Sequence, residues 1–501
     1  MNKLIQTLLS IHKHKLLEIA LFFVALIYYL FFVNKGLVLF DEGYFVHSAD
    51  RILSGEMPYK DFSLQYGPAY FYTLALFLKL FGSSIIAERF FVLTICLAIL
   101  GVTFLIINKL RATSYPVILL SLLCVVAYGY PLINIPNIMW ANVLTALLTT
   151  LIYLHWHSAH NRRKYTYLVI MGILLALSLS LKQNIGVVSL GMFNLFILFS
   201  KKRPILQAIQ DLVIVNGICI LPTLGWIYYF FLRDNIYGLL AVVEFSKKFA
   251  QSIPFTIPPL TFITQPLGIF KLLPYYAPIV FAIFLFGYLF RKTKDWQKLA
   301  FALMAVTGFA VAIFPQSDLL HVYPFLGSVL VALLLFGYQS RLKFFIISLI
   351  FIHILIGFYL TLFTKSYRYE PLYSKMNTPL PLPKTAGILV EKQQAANIIA
   401  LSDFMKTHTK QNEYILVYPY APMLYFILER KNPSKDPIYH QRTWHFYDDR
   451  IILNDMKQKN VKFIVVAGDY IFDADLSRFI QKQKKVFSSE LFLVYQITAY
   501  R

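Results

Sequence analysis

Residues 40–44 read Phe-Asp-Glu-Gly-Tyr, and they follow the first long apolar run of the chain, at about residues 17–33. If that run crosses a membrane, Asp41 and Glu42 lie at the edge of the hydrocarbon region. An ionised group at that depth is costly unless it has a partner or a function. A solvated, helix-terminating acid would explain one carboxylate here. Two adjacent carboxylates favour a functional site in the polar segment that reaches to about Pro68.

The composition is that of a polytopic α-helical membrane protein. Hydrophobic residues make up 58% of the 501 residues and charged residues 14%, which lies outside the range of soluble globular chains. The formal net charge of +22 is gathered in short basic runs between apolar segments, a pattern that sets membrane topology. We therefore expect no nucleic-acid partner. The three cysteines all lie in apolar runs, so no disulfide or cysteine metal site is indicated: Cys96, Cys124 and Cys219.

Apolar runs of bilayer-spanning length predict eleven transmembrane helices. The first run lacks a small-residue cleavage site and follows three lysines, so we expect an uncleaved first helix with a cytoplasmic N-terminus. The predicted spans lie near residues 17–34, 84–107, 115–131, 137–157, 165–181, 184–200, 210–232, 274–290, 297–314, 321–338 and 343–363.

Residues 68–81 form an apolar segment that is short for a span and contains Lys79. If this segment lies along the outer interface, the basic runs between the later spans all fall on the cytoplasmic side. If it spans, those runs are all placed outside. The interfacial placement therefore agrees with the charge pattern, and it gives a first outer loop at 35–83 with interfacial helices.

The composition changes to that of a globular domain after about Glu370. We predict a transmembrane domain at 1–363 and a small extracytoplasmic α/β domain at 364–501. Helical periodicity and buried apolar runs predict helices at 391–407, 422–428 and 473–483, and strands at 413–417, 461–466 and 490–497. This domain has no glycine-rich phosphate loop and no common hydrolase motif.

Three basic side chains lie at predicted outer helix ends: Arg89, Lys182 and His321. This position is unusual because positive charge is normally enriched on the cytoplasmic side. Snorkelling, or a local pair such as Glu88 with Arg89, would explain each one alone. Together they predict a pocket for an anionic substrate that carries phosphate. Cations that neutralise a leaving phosphate, with a carboxylate that deprotonates the acceptor, suit transfer from a lipid-phosphate donor.

The first outer loop resembles that of GT-C membrane glycosyltransferases. The most similar branch contains the protein O-mannosyltransferases, the lipid A aminoarabinose transferases and bacterial transferases that act on lipopolysaccharide cores. The resemblance rests on Asp41-Glu42-Gly-Tyr-Phe, on Ala-Asp-Arg-Ile-Leu-Ser-Gly-Glu at 49–56, and on Pro58-Tyr59, Tyr66-Gly67-Pro68, Leu80-Phe-Gly82 and Glu88-Arg89. A Lys-Gln turn at 182–183 and a His-x-Tyr-Pro helix start at 321 are weaker points of similarity.

This resemblance implies an enzyme of the cell inner (plasma) membrane that transfers a sugar, with inversion, from a polyprenyl-phosphate donor such as an undecaprenyl-phosphate sugar. The acceptor would be a lipid, a glycan or a protein at the periplasmic face. Asp41 would be the base and Glu42 its support. Arg89, Lys182 and His321 would contact the donor phosphate, and we expect substrate contacts from Tyr44, Tyr59, Tyr66 and Gln183.

Gly67-Pro68 stands where the aminoarabinose transferases have Lys-Pro, which removes one expected phosphate contact and leaves the donor sugar open. The need for a divalent cation is also open. If one is required, Asp41 and Glu42 are its expected ligands.

Two alternatives differ in the features that they require. A multipass transporter or flippase of lipid-linked glycans would place ionisable groups near the midplane, in broken helices, often with inverted repeats. The ionisable residues singled out here lie at predicted helix ends, and no internal sequence repeat is evident. An O-antigen ligase or polymerase would have an arginine-rich late loop in place of an acid pair in the first loop.

Overall fold

The computed structural model describes residues 19–110, 114–129, 138–159, 163–200, 204–233, 272, 276–277, 280, 296–312, 319–338, 340–363, 372–435, 449–468 and 475–500. For residues 163 and 319–322 it describes the backbone alone.

The first two thirds of the chain form a helical bundle. Its described helices are α1 (Ile19–Val33), α2 (Asp41–Leu53), α3 (Pro68–Phe81), α4 (Ile85–Lys109), α5 (Tyr115–Ala127), α6 (Ile138–Ser158), α7 (Arg163–Leu181), α8 (Gln183–Leu198), α9 (Ile205–Phe231), α10 (Trp296–Ala312), α11 (Leu319–Gly337) and α12 (Lys343–Phe363).

Ten of the eleven predicted spans coincide with helices among the described residues. The span predicted near 274–290 lies almost wholly outside the described residues. By length and composition, five described helices can cross a membrane, and shorter apolar helices of 10–17 residues accompany them. The prediction of a polytopic α-helical membrane protein is confirmed. Residues 68–81 are helical, as α3, and their interfacial position stays a prediction.

Polar side chains link neighbouring helices within the bundle. The Lys164 ammonium on α7 lies 2.7 Å from the buried Asp211 carboxylate on α9. The Asn194 and Asn216 amides, on α8 and α9, exchange two hydrogen bonds of 3.1 Å. Such contacts hold helices together where lipid gives no hydrophobic driving force between them.

The C-terminal part contains helices α13 (Lys392–His408), α14 (Met423–Ile427), α15 (Asp449–Gln458) and α16 (Asp475–Gln481). Strands β1 (Thr378–Pro379) and β2 (Leu389–Val390) form an antiparallel pair. Strands β3 (Leu416–Tyr418), β4 (Phe463–Ala467), β5 (Lys484–Ser488) and β6 (Phe492–Gln496) form a sheet in the order β3-β4-β6-β5. Only the β3–β4 pair is parallel among these neighbours.

This small domain confirms the predicted α/β character. Helix α13 and strands β3, β4 and β6 lie within two or three residues of the predicted elements. Strand β5 and helix α15 were not predicted. Strand β5 is mostly exposed and carries Lys484 and Lys485, so it lacks the buried apolar run that marks a strand. The predicted boundary near 364 lies within 364–371, outside the described residues, and stays a prediction.

The bundle and the C-terminal domain share one apolar core. A single contiguous cluster of buried side chains extends from Ala25 on α1 to Val494 on β6. The loop after α1 also joins the domain through its backbone. Lys35 bridges to Leu389 of β2, and Gly36 N–H donates to the Leu389 carbonyl at 2.8 Å. The domain therefore packs directly on the loop that contains the acid pair.

Candidate active site

Helix α2 places both acids in its first turn, with Asp41 as its first residue. Negative charge is favourable there because the helix dipole and the unpaired backbone N–H groups point toward it. This effect is a structural reason for the acids that does not require catalysis. Because a helix has 3.6 residues per turn, neighbouring side chains leave its axis about 100° apart. Asp41 and Glu42 therefore face different surroundings.

Glu42 faces the interior of the loop and is 1% exposed. Its Oε1 accepts from Arg89 Nε at 2.7 Å, and its Oε2 accepts from Arg89 Nη2 at 3.1 Å. Oε2 also accepts the Val38 backbone N–H at 3.0 Å. A two-pronged arginine–carboxylate pair of this kind is strong and fixes its geometry.

Arg89, on α4, uses its remaining N–H groups on the loop that precedes α2. Nη1 donates to the Val33 and Lys35 carbonyls at 3.0 Å, and Nη2 donates to the Gly36 carbonyl at 2.8 Å. With the two bonds to Glu42, all five guanidinium N–H groups have protein acceptors among the described residues. We name this arrangement of Arg89, Glu42 and the backbone of 33–38 the Glu42–Arg89 clamp.

The clamp favours structural roles for Glu42 and Arg89. The predicted catalytic support by Glu42 and the predicted phosphate contact of Arg89 stay predictions that this geometry does not favour. Arg89 is 1% exposed, and a phosphate could bind its guanidinium only by displacing the present acceptors.

Asp41 faces the C-terminal domain and is partly exposed. Its Oδ1 accepts a hydrogen bond of 2.6 Å from the Tyr420 hydroxyl. The Tyr420 ring also packs on Phe40, with ring centroids 5.8 Å apart. A carboxylate has acceptor capacity for about four hydrogen bonds, so one bond from a tyrosine is compatible with a further bond to a substrate hydroxyl.

The backbone next to Tyr420 lies directly against the start of α2. Met423 N–H donates to the Leu39 carbonyl at 3.1 Å. A Cβ atom added to Gly43 would lie 2.2 Å from Met423 N, inside van der Waals contact. Gly43 therefore permits the close approach of α14 to α2, and this approach holds Tyr420 beside Asp41.

Lys182 precedes α8 and lies above the ring of Tyr66, with Nζ 5.6 Å from the ring centroid. Its Nζ is 3.3 Å from Met139 Sδ. Tyr66 in turn stacks on Phe45, with centroids 5.9 Å apart. Phe45 is one turn after Asp41 on the same face of α2. These ring contacts connect Lys182, through Tyr66, to the residue one turn after Asp41 on α2.

The turn that carries Lys182 is held against residues 66–68. Gly67 N–H donates to the Leu181 carbonyl at 2.9 Å. A Cβ at Gly67 would lie 2.1 Å from the Ser180 carbonyl oxygen. A glycine is needed at this contact, which gives Gly67-Pro68 a packing reason.

Tyr44 and Tyr59, two of the expected substrate contacts, are buried and bonded within the loop. The Tyr44 hydroxyl accepts the Gln65 N–H at 2.9 Å, and the Tyr59 hydroxyl donates to the Tyr66 carbonyl at 2.7 Å. Burial raises the pKa of Tyr59 well above its ordinary value, so its hydroxyl remains a donor. These contacts favour roles in loop structure. Gln183 is partly exposed as the first residue of α8.

His321 lies in the first turn of α11, and its side chain is outside the described residues. Within the described part of the chain, no group of three or more His, Cys, Asp or Glu side chains is placed to hold a metal ion. Glu42 already faces the positive charge of Arg89, which disfavours a second cation. The two adjacent acids thus do not fit a shared metal site.

Tyr420 is the residue near Asp41 that sequence reasoning missed. It is 379 positions away in the chain, and no motif marks it.

Polar contacts between the loop and the C-terminal domain were missed for the same reason. The Lys384 ammonium bonds Ser83 Oγ at 2.9 Å and lies 3.3 Å from Asp50 Oδ1, and Arg51 Nη1 donates to the Ser434 carbonyl at 3.2 Å.

Comparison with known proteins gives one family match and several structural ones. Residues 65–228, about a third of the chain, match the family described as dolichyl-phosphate-mannose-protein mannosyltransferase. No curated protein is similar enough in sequence to count as a match.

Solved structures of ArnT from Cupriavidus metallidurans resemble this chain over nearly all of both proteins. The structure bound to undecaprenyl phosphate has 12% identity and a TM-score of 0.58, and it covers 97% of this chain and 98% of that one. The apo structure has 12% identity and a TM-score of 0.56, with the same coverage of both chains. The apo structure of the Archaeoglobus fulgidus oligosaccharyltransferase has 12% identity and a TM-score of 0.50. The match covers 90% of this chain and 69% of that one. At this identity the likeness establishes the fold, which is of GT-C type.

Proposed function

We propose that this protein is an inverting membrane glycosyltransferase that moves a sugar from a polyprenyl-phosphate donor to an acceptor, with Asp41 as the base. The observation that carries the proposal is the position of Asp41 in this fold. It is a partly exposed carboxylate at the start of α2. In support, the Lys182 ammonium lies above the ring of Tyr66, which stacks on Phe45, one turn after Asp41.

The comparisons support the class of donor. The matching family is described by its dolichyl-phosphate-mannose donor, and an ArnT structure with this fold holds undecaprenyl phosphate. Both lipids are polyprenyl phosphates. A lipid of this chemistry is therefore the proposed partner, together with membrane lipids around the bundle. The acceptor is a lipid, a glycan or a protein.

The proposed reaction is a single displacement. Asp41 takes the proton of the acceptor hydroxyl as the acceptor oxygen bonds to the anomeric carbon of the sugar. The bond from that carbon to the phosphate oxygen breaks, and the polyprenyl phosphate leaves with the electron pair. One displacement inverts the anomeric configuration. A general base at this step contributes about 10²–10⁴-fold to the rate.

Phosphate binding is assigned in the proposal to Lys182 and His321. The positive charge of Lys182 would offset the charge that develops on the leaving phosphate. Arg89 is assigned instead to holding the loop that presents Asp41, because the Glu42–Arg89 clamp occupies its guanidinium. The proposed orientation has a cytoplasmic N-terminus, with α2 and the C-terminal domain on the periplasmic side of the inner membrane.

A transfer assay in proteoliposomes tests the proposal. The purified protein is supplied with a panel of polyprenyl-phosphate sugars and an extract of envelope lipids, glycans and proteins, with and without EDTA. We expect release of polyprenyl phosphate from at least one donor, and a labelled product of inverted configuration. A Lys182→Met variant should raise the KM for the donor, whereas Lys79→Met, at an exposed position on α3, should leave it unchanged.

Movement of labelled lipid across the bilayer without sugar transfer would contradict the proposal and favour a flippase. Consumption of diphosphate-linked oligosaccharides alone would favour a ligase or polymerase. An unchanged donor KM in Lys182→Met would remove Lys182 from the phosphate site.

A further inference from the structure

We infer that Tyr420 is a positioning residue for Asp41, so that the C-terminal domain completes the active site by holding its base. The inference rests on the proposed function, because it gives a role to the carboxylate that the proposal names as the base. Its basis is the 2.6 Å hydrogen bond from the Tyr420 hydroxyl to Asp41 Oδ1, across the boundary between bundle and domain.

Tyr420 is itself held firmly in this place. Its ring contacts Phe40, the residue before Asp41. Three residues later, the Met423 N–H bonds the Leu39 carbonyl, and the Met423 backbone packs on Gly43. The segment that contains Tyr420 is thus held against α2 by contacts before Asp41, at Leu39 and Phe40, and after it, at Gly43. A hydroxyl on a rigid ring, anchored in this way, restricts the rotation of the carboxylate.

Restricting the carboxylate matters for a base. A base must lie within hydrogen-bond reach of the proton that it abstracts, and a small misplacement of a reacting group can cost about 10²-fold in rate. A carboxylate that is bonded only to solvent samples several rotamers. The Tyr420 bond selects one of them and leaves acceptor capacity for the substrate.

The domain is attached to the loop by many other contacts, so loss of this hydroxyl alone does not detach it. Lys384 lies against Asp50, and Gln394 Nε2 donates to the Leu37 carbonyl at 3.1 Å. The Ser63 N–H donates to the Lys435 carbonyl at 2.8 Å. The phenyl ring of a Tyr420→Phe variant would keep the packing on Phe40. Removal of the hydroxyl therefore tests positioning, not docking.

Tyr420→Phe in the full-length protein is the test, with Tyr500→Phe as the matched control. Tyr500 is a tyrosine of the same domain whose hydroxyl bonds the Met456 and Val461 carbonyls, away from Asp41. We expect Tyr420→Phe to lower kcat about 10- to 100-fold, in line with the loss of a hydrogen bond to a charged group, and to leave the donor KM unchanged. Tyr500→Phe should keep the wild-type kcat. A wild-type kcat in Tyr420→Phe, or equal losses in both variants, would overturn the inference.

A double-mutant cycle on thermal unfolding tests the contact without relying on activity. Tyr420→Phe should lower the apparent melting temperature of the wild-type protein but not of the Asp41→Ala variant. Equal shifts in both backgrounds would show that the hydroxyl does not act through Asp41. If the wild-type protein transfers no sugar, the proposed function fails, whereas this cycle still decides whether Tyr420 holds Asp41.

Discussion

Asp41 and Glu42 are adjacent in the chain, yet one closes a buried structural clamp and the other meets a second domain at the surface. Glu42 is 1% exposed and bonded to Arg89 by both oxygens. Asp41 is partly exposed and bonded to Tyr420. The helical rotation of about 100° between neighbours separates their surroundings. An acid pair in a sequence is therefore not by itself a functional pair, and each member needs its own test.

The largest expected effect is on catalysis, at Asp41. Asp41→Asn keeps the size of the side chain and removes its basicity. We expect the rate of sugar transfer in proteoliposomes to fall about 10²–10⁴-fold, the usual contribution of a general base, while the apparent melting temperature in detergent stays near that of the wild type. Normal turnover by this variant would exclude Asp41 as the base.

The next effect is on stability, at Glu42. Glu42→Gln leaves the buried Arg89 without its counter-charge, which should cost about 3–5 kcal/mol of unfolding free energy, measured by denaturant titration in detergent. Transfer activity per folded molecule should fall far less than in Asp41→Asn. A fully stable but inactive Glu42→Gln protein would reverse the roles assigned to the two acids.

Gly43 tests the contact that brings Tyr420 to Asp41. Gly43→Ala places a methyl group 2.2 Å from Met423 N, so α14 must move away from α2, at a cost of about 1–3 kcal/mol. We expect a lower melting temperature together with a lower kcat. Gly191→Ala is the matched control, because nothing lies within 4 Å of the added Cβ. Equal behaviour of the two variants would contradict the close packing.

The smallest effect concerns pH, at His47. Its ring stacks on Tyr425 at 4.9 Å, and both ring nitrogens are buried with no hydrogen-bond partner among the described residues. Burial, helped by the nearby charge of Arg51, lowers the pKa of His47 well below its ordinary value. The unfolded chain therefore binds a proton below about pH 6.5 that the folded protein rejects, and stability falls by up to about 1.4 kcal/mol per pH unit on acidification.

This loss should be absent above the ordinary histidine pKa and should grow as the pH falls below it. Melting curves of the wild type and His47→Phe between about pH 7.5 and about pH 5.5 measure it, since the phenyl ring can keep the stack on Tyr425. Identical pH slopes in the two proteins would show that His47 is not buried in the neutral form.

Much of the fold follows from local sequence, and much of the site does not. The length of the apolar runs predicted the helices of the bundle. A segment that crosses the bilayer must form all its backbone hydrogen bonds internally and be apolar over its whole length. The strands β3, β4 and β6 were predicted because they are apolar. Strand β5 was missed because its residues Lys484–Ser488 join the sheet by backbone pairing with β6 and not by burial.

The site shows where local reasoning ends. Because a cation at a membrane-facing helix end is costly, the sequence indicated that Arg89 needs a partner. No local pattern showed whether that partner is a substrate phosphate or, as the structure has it, Glu42 and three backbone carbonyls. Tyr420 could not be found at all. Its contact with Asp41 spans 379 positions and depends on how a separate domain docks, which composition and periodicity do not encode.

The pairing of Lys35 and Gly36 with Leu389 has a consequence for biosynthesis. The ribosome makes the loop more than 350 residues before the strand that pairs with it. The spanning helices up to α12 can insert in the membrane while the loop still lacks its domain, so a nascent chain contains Asp41 without Tyr420 beside it. The contact between Asp41 and Tyr420 therefore forms late in synthesis, and a chain released before residue 420 has the acid pair without that tyrosine.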